Sequence, residues 1–298
     1  MTLTSRPSRT PIRLIAALAA TGLTLTACST DPNNSNSAGE SNTGSAEVAS
    51  EQKTQTPPSE AAGPTPRLVT TYDGGLLTLD AKTLEVLDDT KLDGFNRLNP
   101  LGDGRSLLDS TKEGFRVFDA GSWTEPHGDH THSYTTEPLL TDTVYSATKP
   151  GHVVNEGKRT LIFGDGDGSI QELDAPPRVT LTDTKTSTMR VVDVKASYSF
   201  RSLGRGPEGE ALVLGTDGTL RKLDPTSGEI TGEYPVVEEW KESETWQDPL
   251  PTLFVQDKYA YVTEPATNKI HKVDIATGKV VKTVELPETP NELNGVKG

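Results

Sequence analysis

The sequence predicts an all-β fold for residues 67–298, because short apolar runs alternate there with turns that contain glycine and aspartate. Alternation of apolar and polar residues over four to eight positions is typical of a strand with one buried face. A second observation is that one unit of this kind recurs along the chain, and a third is that no segment has the spacing of a long amphipathic helix. Together they predict a repeat protein built from β-hairpins.

The recurring unit is a strand, a turn with glycine, and a second strand that closes with an apolar residue and an aspartate. Its copies occupy residues 68–80, 106–119, 161–174, 212–224 and 260–274. Glycine supplies the positive φ that tight hairpins need, and the closing aspartate can cap the next turn through its side chain. A period of about 40 to 50 residues with four short strands is that of a propeller blade. We therefore expect a β-propeller of about five to six four-stranded blades, which either closes by pairing residues 68–72 with the final blade or stays open as an incomplete ring.

The first 27 residues have the features of a signal peptide. Three arginines and no acidic residue precede an apolar run at residues 14–25. This run is shorter than the stretch of about 20 residues that a membrane-spanning helix needs. Cys28 follows the small residue Ala27, as in the lipobox of bacterial lipoproteins, in which the cysteine carries the lipid and becomes the N-terminus. We expect export and anchoring through Cys28; the alternative is an ordinary cleaved signal peptide with an incidental cysteine.

Residues 28–66 are rich in Ser, Asn, Thr, Glu, Gly and Pro and contain almost no large apolar side chain. Such a segment cannot bury enough surface to offset its chain entropy, so we expect a disordered tether between the lipid and the domain at 67–298. Cys28 is the single cysteine, and once lipidated it leaves no thiol for disulfides, cysteine zinc sites or thiol catalysis. The formal net charge of −14 argues against a nucleic-acid partner.

Three of the five histidines cluster in Pro-His-Gly-Asp-His-Thr-His-Ser-Tyr at residues 126–134. In an extended chain His130 and His132 point to the same side, and His127 can fold back over the glycine to complete a chelate. Asp129 or Glu125 can add an oxygen ligand. Three imidazole nitrogens and one oxygen make a reasonable tetrahedral set for Zn²⁺. The residues alone leave open the alternative of a polar loop that binds no metal strongly.

The other two histidines are isolated. His152 precedes an apolar pair, which predicts the start of a strand, where it either faces the central channel or packs between blades. His271 lies between Ile270 and Lys272 in the last repeat, in the alternate phase from the apolar core residues, so we expect it to face solvent. The segment Gly-Asp-Gly-Asp-Gly at 164–168 lacks the distal Glu of a calcium loop and is interpreted as a hairpin connection.

Two resemblances extend this interpretation. The Tyr-Val-Thr at 261–263 and the Asp-Ile-Ala-Thr-Gly at 274–278 resemble the YVTN and quinoprotein-like propeller repeats, which specify a fold and hardly any function. The segment 126–134, followed by Lys-Pro-Gly-His-Val-Val at 149–154 and Phe-Gly-Asp-Gly-Asp-Gly at 163–168, resembles the AztD family of periplasmic zinc metallochaperones. Unlike that family, this chain has no histidine between His152 and His271, so it is interpreted as a shortened member without the middle-blade histidine motifs.

The AztD resemblance implies a secreted β-propeller, associated with a zinc ABC importer, that passes Zn²⁺ to a solute-binding protein. It implies that His127, His130 and His132 form a flexible acquisition loop and that His152 lies near a channel site. We therefore expect an exported, membrane-anchored zinc-binding protein that acts as a metallochaperone or accessory factor. The alternative is a non-catalytic propeller scaffold that has lost metal binding. We do not expect an enzyme, since for example no G-x-S-x-G nucleophile motif occurs.

Overall fold

The computed structural model describes residues 56–298, apart from 112–113, 147–149, 157–158, 165–177, 184–187 and 246. Only the backbone is described at 146, 150–156, 159–164, 178–183 and 188–190. The predicted signal peptide, Cys28 and most of the predicted tether lie outside the described residues, as does most of the segment 164–168.

The regular secondary structure of the described chain is almost entirely β-strand. The first ten strands are β1 (Ser59–Ala61), β2 (Arg67–Tyr72), β3 (Gly75–Asp80), β4 (Val86–Lys91), β5 (Arg97–Pro100), β6 (Ser106–Thr111), β7 (Gly114–Asp119), β8 (Ser122–His127), β9 (His130–Thr135) and β10 (Leu139–Ser146). The others are β11 (Pro150–Glu156), β12 (Arg159–Gly164), β13 (Arg178–Asp183), β14 (Thr188–Asp193), β15 (Leu203–Arg205), β16 (Ala211–Leu214), β17 (Thr219–Leu223), β18 (Ile230–Pro235), β19 (Leu253–Gln256), β20 (Tyr259–Glu264), β21 (Lys269–Asp274), β22 (Val280–Glu285) and β23 (Leu293–Val296). A short 3₁₀ turn at Pro265–Thr267 connects β20 to β21.

Among the described residues, four antiparallel sheets have four strands each, in the orders β23-β2-β3-β4, β5-β6-β7-β10, β15-β16-β17-β18 and β19-β20-β21-β22. The hairpins β11–β12 and β13–β14 fall between the second and third of these sheets along the chain, where the repeat predicts a further blade. The first strands of neighbouring sheets lie side by side in the order β11, β5, β23, β19 and β15. This arrangement confirms the predicted β-propeller, with those strands innermost.

The predicted pairing of residues 68–72 with the last blade is present. Strand β23 pairs antiparallel with β2, with Arg67 opposite Val296 and Thr70 opposite Leu293. The first sheet therefore combines three strands from the start of the domain with one from the end of the chain. Such a composite sheet ties the first and last blades together through main-chain hydrogen bonds and a shared core.

The hydrophobic core lies between the sheets. One cluster joins the first sheet to the last, with Leu68 and Leu79 packed near Tyr261 and Ile270. Further clusters fill the interfaces between the last sheet and the sheet before it, and between the first and second sheets. Because each sheet is covered on both faces, middle strands such as β2 and β20 are buried at nearly every position.

The closing aspartates of the repeat cap turns, as the sequence predicts. The Asp80 carboxylate accepts hydrogen bonds from the backbone N–H groups of Lys82 and Thr83. Asp224 accepts from the equivalent two N–H groups after β17, and Asp274 accepts from the N–H and hydroxyl of Thr277. These Asx-type turns end the third strand and lead into the fourth strand of three of the sheets.

One boundary from the sequence analysis was wrong. Residues 56–66 were assigned to the disordered tether, but Ser59–Ala61 forms β1 and pairs with β9. Hydrogen bonds of Thr56 with Thr136 and of Thr65 with Ser122 fix the residues on either side of β1. Main-chain pairing supplied by β9 compensates for the lack of apolar side chains in this segment.

Across the described part of the chain, no helix has the length and apolar character that crossing a membrane requires.

Candidate metal centre

The histidine cluster lies on an extra hairpin that interrupts the second sheet. Strands β8 and β9 follow β7, the third strand of that sheet, and the chain then returns to form its fourth strand, β10. The hairpin forms a separate three-stranded sheet in the order β1-β9-β8. It therefore presents its side chains outside the stacked faces of the blades.

The base of this hairpin is fixed by a buried arginine. The Arg67 guanidinium, from β2, donates hydrogen bonds to the carbonyls of Ala120 and Thr136 at 2.6 and 3.0 Å. Between them, Gly121 has φ +74°, and a Cβ there would lie 2.5 Å from the Thr136 oxygen and 2.6 Å from the Arg67 guanidinium. Only glycine fits this close approach, so the entry and exit of the hairpin are held together.

The register of the hairpin places all three histidines on one face. His127 lies directly opposite His130 across a two-residue turn in which Gly128 has φ +63°. A glycine with positive φ in the first central position is typical of a type II′ turn. His132 is two residues beyond His130 and therefore on the same side of β9. The predicted chelate geometry thus follows from strand alternation and one glycine turn.

The three imidazoles converge on one point. The Nε2 atom of His132 lies 3.1 Å from Nδ1 of His127 and 3.0 Å from Nε2 of His130. One nitrogen from each ring lies within 4.8 Å of the other two. Nitrogens bound tetrahedrally to Zn²⁺ at about 2.0–2.1 Å are about 3.3–3.4 Å apart. Small rotations of exposed rings would bring the trio to that spacing.

Two carboxylates orient the rings. Nδ1 of His132 lies 2.6 Å from Oε1 of Glu60, and Nδ1 of His130 lies 3.1 Å from Oδ1 of Asp129. Because an ionised carboxylate only accepts hydrogen bonds, each Nδ1 donates its proton to it. With Nδ1 as the donor in both rings, the two Nε2 atoms face each other, and that contact is favourable when a proton or a metal cation lies between them.

The Asp129 interaction changes one part of the predicted ligand set. Asp129 was predicted from the sequence to be a metal ligand, but its carboxylate contacts the outer nitrogen of His130 and lies outside the cluster of three ring nitrogens. The hydrogen bond to His130 lowers the pKa of the Asp129 carboxyl, which keeps it an acceptor. In this geometry Asp129 contacts one ring of the cluster from outside and is not one of the converging groups.

Glu60 is the residue that the sequence analysis missed. It is 72 positions from His132, in a segment without apolar alternation, so no local pattern indicates the contact. Carboxylate–histidine–metal arrangements of this kind fix the imidazole tautomer and raise the basicity of the ligating nitrogen. Glu60 reaches the site because β1 pairs with β9, with Glu60 opposite Tyr134.

Aromatic packing supports the hairpin beneath the histidines. The Trp123 and Tyr134 rings stack with centroids 5.6 Å apart, and the Tyr134 ring in turn lies 6.3 Å from that of His132. On the other side of Trp123, the Arg105 guanidinium lies 3.6 Å from the ring centroid and is paired with Asp119. Offset stacks and cation–π contacts of this kind stabilise rigid side-chain positions.

The remaining histidines lie elsewhere. His152 is in β11, which confirms the predicted strand, and β11 lies beside the inner strand β5; its side chain is outside the described atoms. His271 was expected to face solvent, and this was wrong, since it is 7% exposed. Its ring nitrogens contact the Thr283 hydroxyl and the Glu264 carboxylate, and burial lowers the pKa of the imidazole.

A cavity of about 250 Å³ lies among the inner strands β5, β15, β19 and β23. Its described lining includes Arg97, Arg201 and the buried Glu292, with Phe200 at its edge and no histidine. The two guanidiniums lie 3.8 and 3.5 Å from the same Glu292 oxygen. Two positive charges beside one carboxylate disfavour a cation in this cavity. The channel zinc site that the resemblance implies at His152 stays a prediction, because the His152 side chain lies outside the described atoms.

Comparison with known proteins finds similarity to the zinc chaperone AztD in both sequence and structure. No protein-family profile matches the sequence. The zinc chaperone AztD of Citrobacter koseri is 27% identical over 163 residues, which make up 54% of this chain and 38% of the relative's length. The crystal structure of C. koseri AztD has a TM-score of 0.68 at 17% identity and covers 79% of this chain and 99% of that chain. Apo AztD from the same organism gives 0.64 and 16%, with 78% and 98% covered. The chain therefore resembles AztD zinc chaperones in sequence over about half its length and shares their fold.

Proposed function

Starting from the similarity to AztD, we propose that this protein binds Zn²⁺ outside the cytoplasm and passes it to the solute-binding protein of a zinc ABC importer. His127, His130 and His132 hold the ion, and the lipid on Cys28 keeps the protein at the membrane. The observation that carries the proposal is the convergence of three ring nitrogens on one exposed hairpin, two of them backed by carboxylates.

The site is suited to transfer more than to storage. Three protein nitrogens leave one tetrahedral position open for water or for a ligand from a second protein. The side chains of His130 and His132 are 57% and 30% exposed, so an incoming ligand can reach the ion without unfolding the hairpin. Stepwise ligand replacement at such a position moves the ion without releasing it to solvent. The formal net charge of −14 further attracts cations.

The proposed role needs no chemical turnover. A zinc chaperone is not an enzyme, and a catalytic zinc requires an enclosed, water-poor pocket that an exposed hairpin does not provide. The alternative is a propeller scaffold that has lost metal binding, and the arginine-lined cavity, which has no histidine among its described lining residues, favours it. The two functions differ in whether the hairpin binds metal at all.

Replacing His127, His130 and His132 together by alanine is expected to lower zinc affinity by more than about 100-fold, since loss of a single supporting residue alone costs 10- to 100-fold. Metal analysis of the purified full chain should find one Zn²⁺ on the hairpin, and Co²⁺ bound in its place should give the absorption of a tetrahedral, nitrogen-rich site. His152→Ala, measured in parallel, tests whether a second ion binds in the channel.

The matched control is the double variant Thr124→Ala/Thr131→Ala, which changes the opposite face of the same hairpin. It should keep wild-type affinity and the cobalt spectrum. Equal, weak metal binding by the wild type and the triple variant would remove the zinc function and leave the scaffold.

A further inference from the structure

We infer that strand β1 is a zinc-dependent part of the site: Glu60 positions His132 for the metal, and bound metal in turn holds β1 against the hairpin. This inference rests on the proposed function, since it requires that His127, His130 and His132 bind Zn²⁺. It adds a residue and a conformational consequence that the similarity to AztD does not supply. Whether residues 56–63 stay docked against the hairpin then depends on whether zinc is bound.

Strand β1 is weakly held on its own. It has three residues, pairs with β9 alone, and its burial is slight, with Ser59 and Glu60 exposed and Ala61 half-buried. Before β1, Thr56 is hydrogen-bonded to Thr136 at the base of the hairpin. After β1, the chain is fixed independently of the hairpin tip, because the Pro64 and Pro66 carbonyls accept hydrogen bonds from Lys82 Nζ and from the Ala81 N–H. A short edge strand without an apolar face belongs to the least stable part of a fold, where local opening is easy.

The one side-chain link from β1 to the histidines is the 2.6 Å contact between Glu60 Oε1 and His132 Nδ1. The Glu60 side chain is 61% exposed, so without metal this hydrogen bond contributes little to holding the strand. A metal on the Nε2 atom of His132 withdraws electron density from the ring and makes Nδ1–H a stronger donor. The carboxylate in return raises the basicity of the ligating nitrogen.

Thermodynamic linkage makes these two effects equal. If docked β1 raises zinc affinity by a given factor, bound zinc raises the docking equilibrium of β1 by the same factor. Supporting carboxylates of this type change metal affinity by about 10- to 100-fold. Zinc should therefore shift β1 from a frequently open strand to one that is closed nearly all the time.

Release of the metal has a mechanical consequence for the tether. Undocking of residues 56–63 adds 8 residues to the chain that precedes the domain, which at about 3.3–3.6 Å per residue extends its reach by up to about 26–29 Å. The empty protein can then explore a larger volume than the loaded protein.

The test measures zinc affinity and amide hydrogen exchange on the full chain with Zn²⁺ alone as the ligand. In the wild type, zinc should slow exchange at Ser59–Ala61 by about 10- to 100-fold. The variant Glu60→Gln keeps the shape of the side chain but removes the carboxylate; it should bind zinc about 10- to 100-fold more weakly and lose most of the zinc-dependent protection of β1. The control Glu137→Gln removes the same charge from an exposed position just after β9 and should match the wild type in both measurements.

Two results overturn the inference, and they are distinguishable. If the wild type binds zinc through the histidines but Glu60→Gln binds it equally well, or if zinc leaves β1 exchange unchanged, β1 is not part of the site while the proposed function stands. If the wild type and the triple histidine variant bind zinc equally weakly, the proposed function and the inference fail together.

Discussion

Replacing Leu293 and Val296 by alanine is expected to destabilise the folded protein by about 4–6 kcal/mol. Both side chains belong to β23, the strand that closes the ring, and both are buried in the core. Leu293 is 6% exposed and packs with Leu68 at the interface between the first and last sheets. Val296 is 4% exposed and packs with Val69 between the first and second sheets. Truncating one buried leucine to alanine costs about 2–5 kcal/mol, so the double change weakens both interfaces of the composite sheet.

The measurement is urea unfolding followed by circular dichroism, with metal removed by a chelator. The matched control is Val280→Ala/Val281→Ala, which truncates two apolar residues on the outer strand β22, where they are 40% and 53% exposed. It should cost less than about 1 kcal/mol, as surface substitutions usually do. Equal unfolding midpoints for the two double variants would mean that β23 does not close the ring in solution.

The blades could be predicted from the sequence because each one repeats the same local chemistry. Hairpins such as β2–β3 and β20–β21 combine apolar runs with a turn and a closing aspartate, and Asp80 and Asp274 cap their turns as expected. These signals lie within about 15 residues of each other, so they need no knowledge of tertiary contacts. The pairing of β2 with β23 was one of two possible outcomes, since the sequence gives no measure of how far the ring has turned by its end.

The error at His271 has a specific physical cause. Its position alternates with the apolar residues of β21, and in a sheet with one solvated face it would point to water. In a propeller both faces of a middle strand pack against neighbouring blades, and four consecutive residues of β21 are buried. Alternation therefore does not distinguish buried from exposed positions there. The buried His271 ring has polar partners in its own sheet, the Thr283 hydroxyl and the buried Glu264 carboxylate.

Some features of the candidate site follow from neighbouring residues in the sequence, and others depend on contacts between residues far apart in the chain. The convergence of His127, His130 and His132 follows from a period of two and one glycine turn, which the sequence contains. The contribution of Glu60 does not follow from the local sequence, since Glu60 reaches His132 through pairing between two strands that are far apart in the chain. Asp129 was assigned as a ligand because it is an oxygen donor among histidines, but a residue in the turn of the hairpin sits beside the outer edge of His130 instead.

We expect the largest effect of pH on stability to come from the Asp109 carboxyl. Asp109 is fully buried in β6. Burial raises its pKa to about 7, and the nearby Glu292 charge adds to this; the Arg97 backbone N–H and the Arg116 charge act in the opposite direction. Burial raises the pKa of Glu292 as well. These groups come from β5, β6 and β7 and from the residue before β23, where the second sheet meets the closing strand.

The direction of this pH effect on stability follows from the number of protons that the folded and unfolded states bind. Between the ordinary pKa of 3.8 and the folded value of about 7, the folded protein keeps the Asp109 proton while the unfolded chain has released it. Stability therefore falls as the pH rises through this window, by up to about 4 kcal/mol at 1.36 kcal/mol for each unit of pKa. Below pH 4 this loss is absent, and above about pH 7 it is complete.

Asp109→Asn is accordingly expected to remove this part of the pH dependence. Its unfolding free energy relative to the wild type should rise steadily from about pH 4 to pH 7 and then level off, because the buried amide never ionises. Asp142→Asn is the control, since it removes a carboxylate from the same sheet where the side chain is 78% exposed. Urea unfolding of the three metal-free proteins at pH 5, 6, 7 and 8 measures the difference. Parallel profiles for wild type and Asp109→Asn would show that Asp109 ionises normally, so water would have to reach the interface between the second sheet and the closing strand.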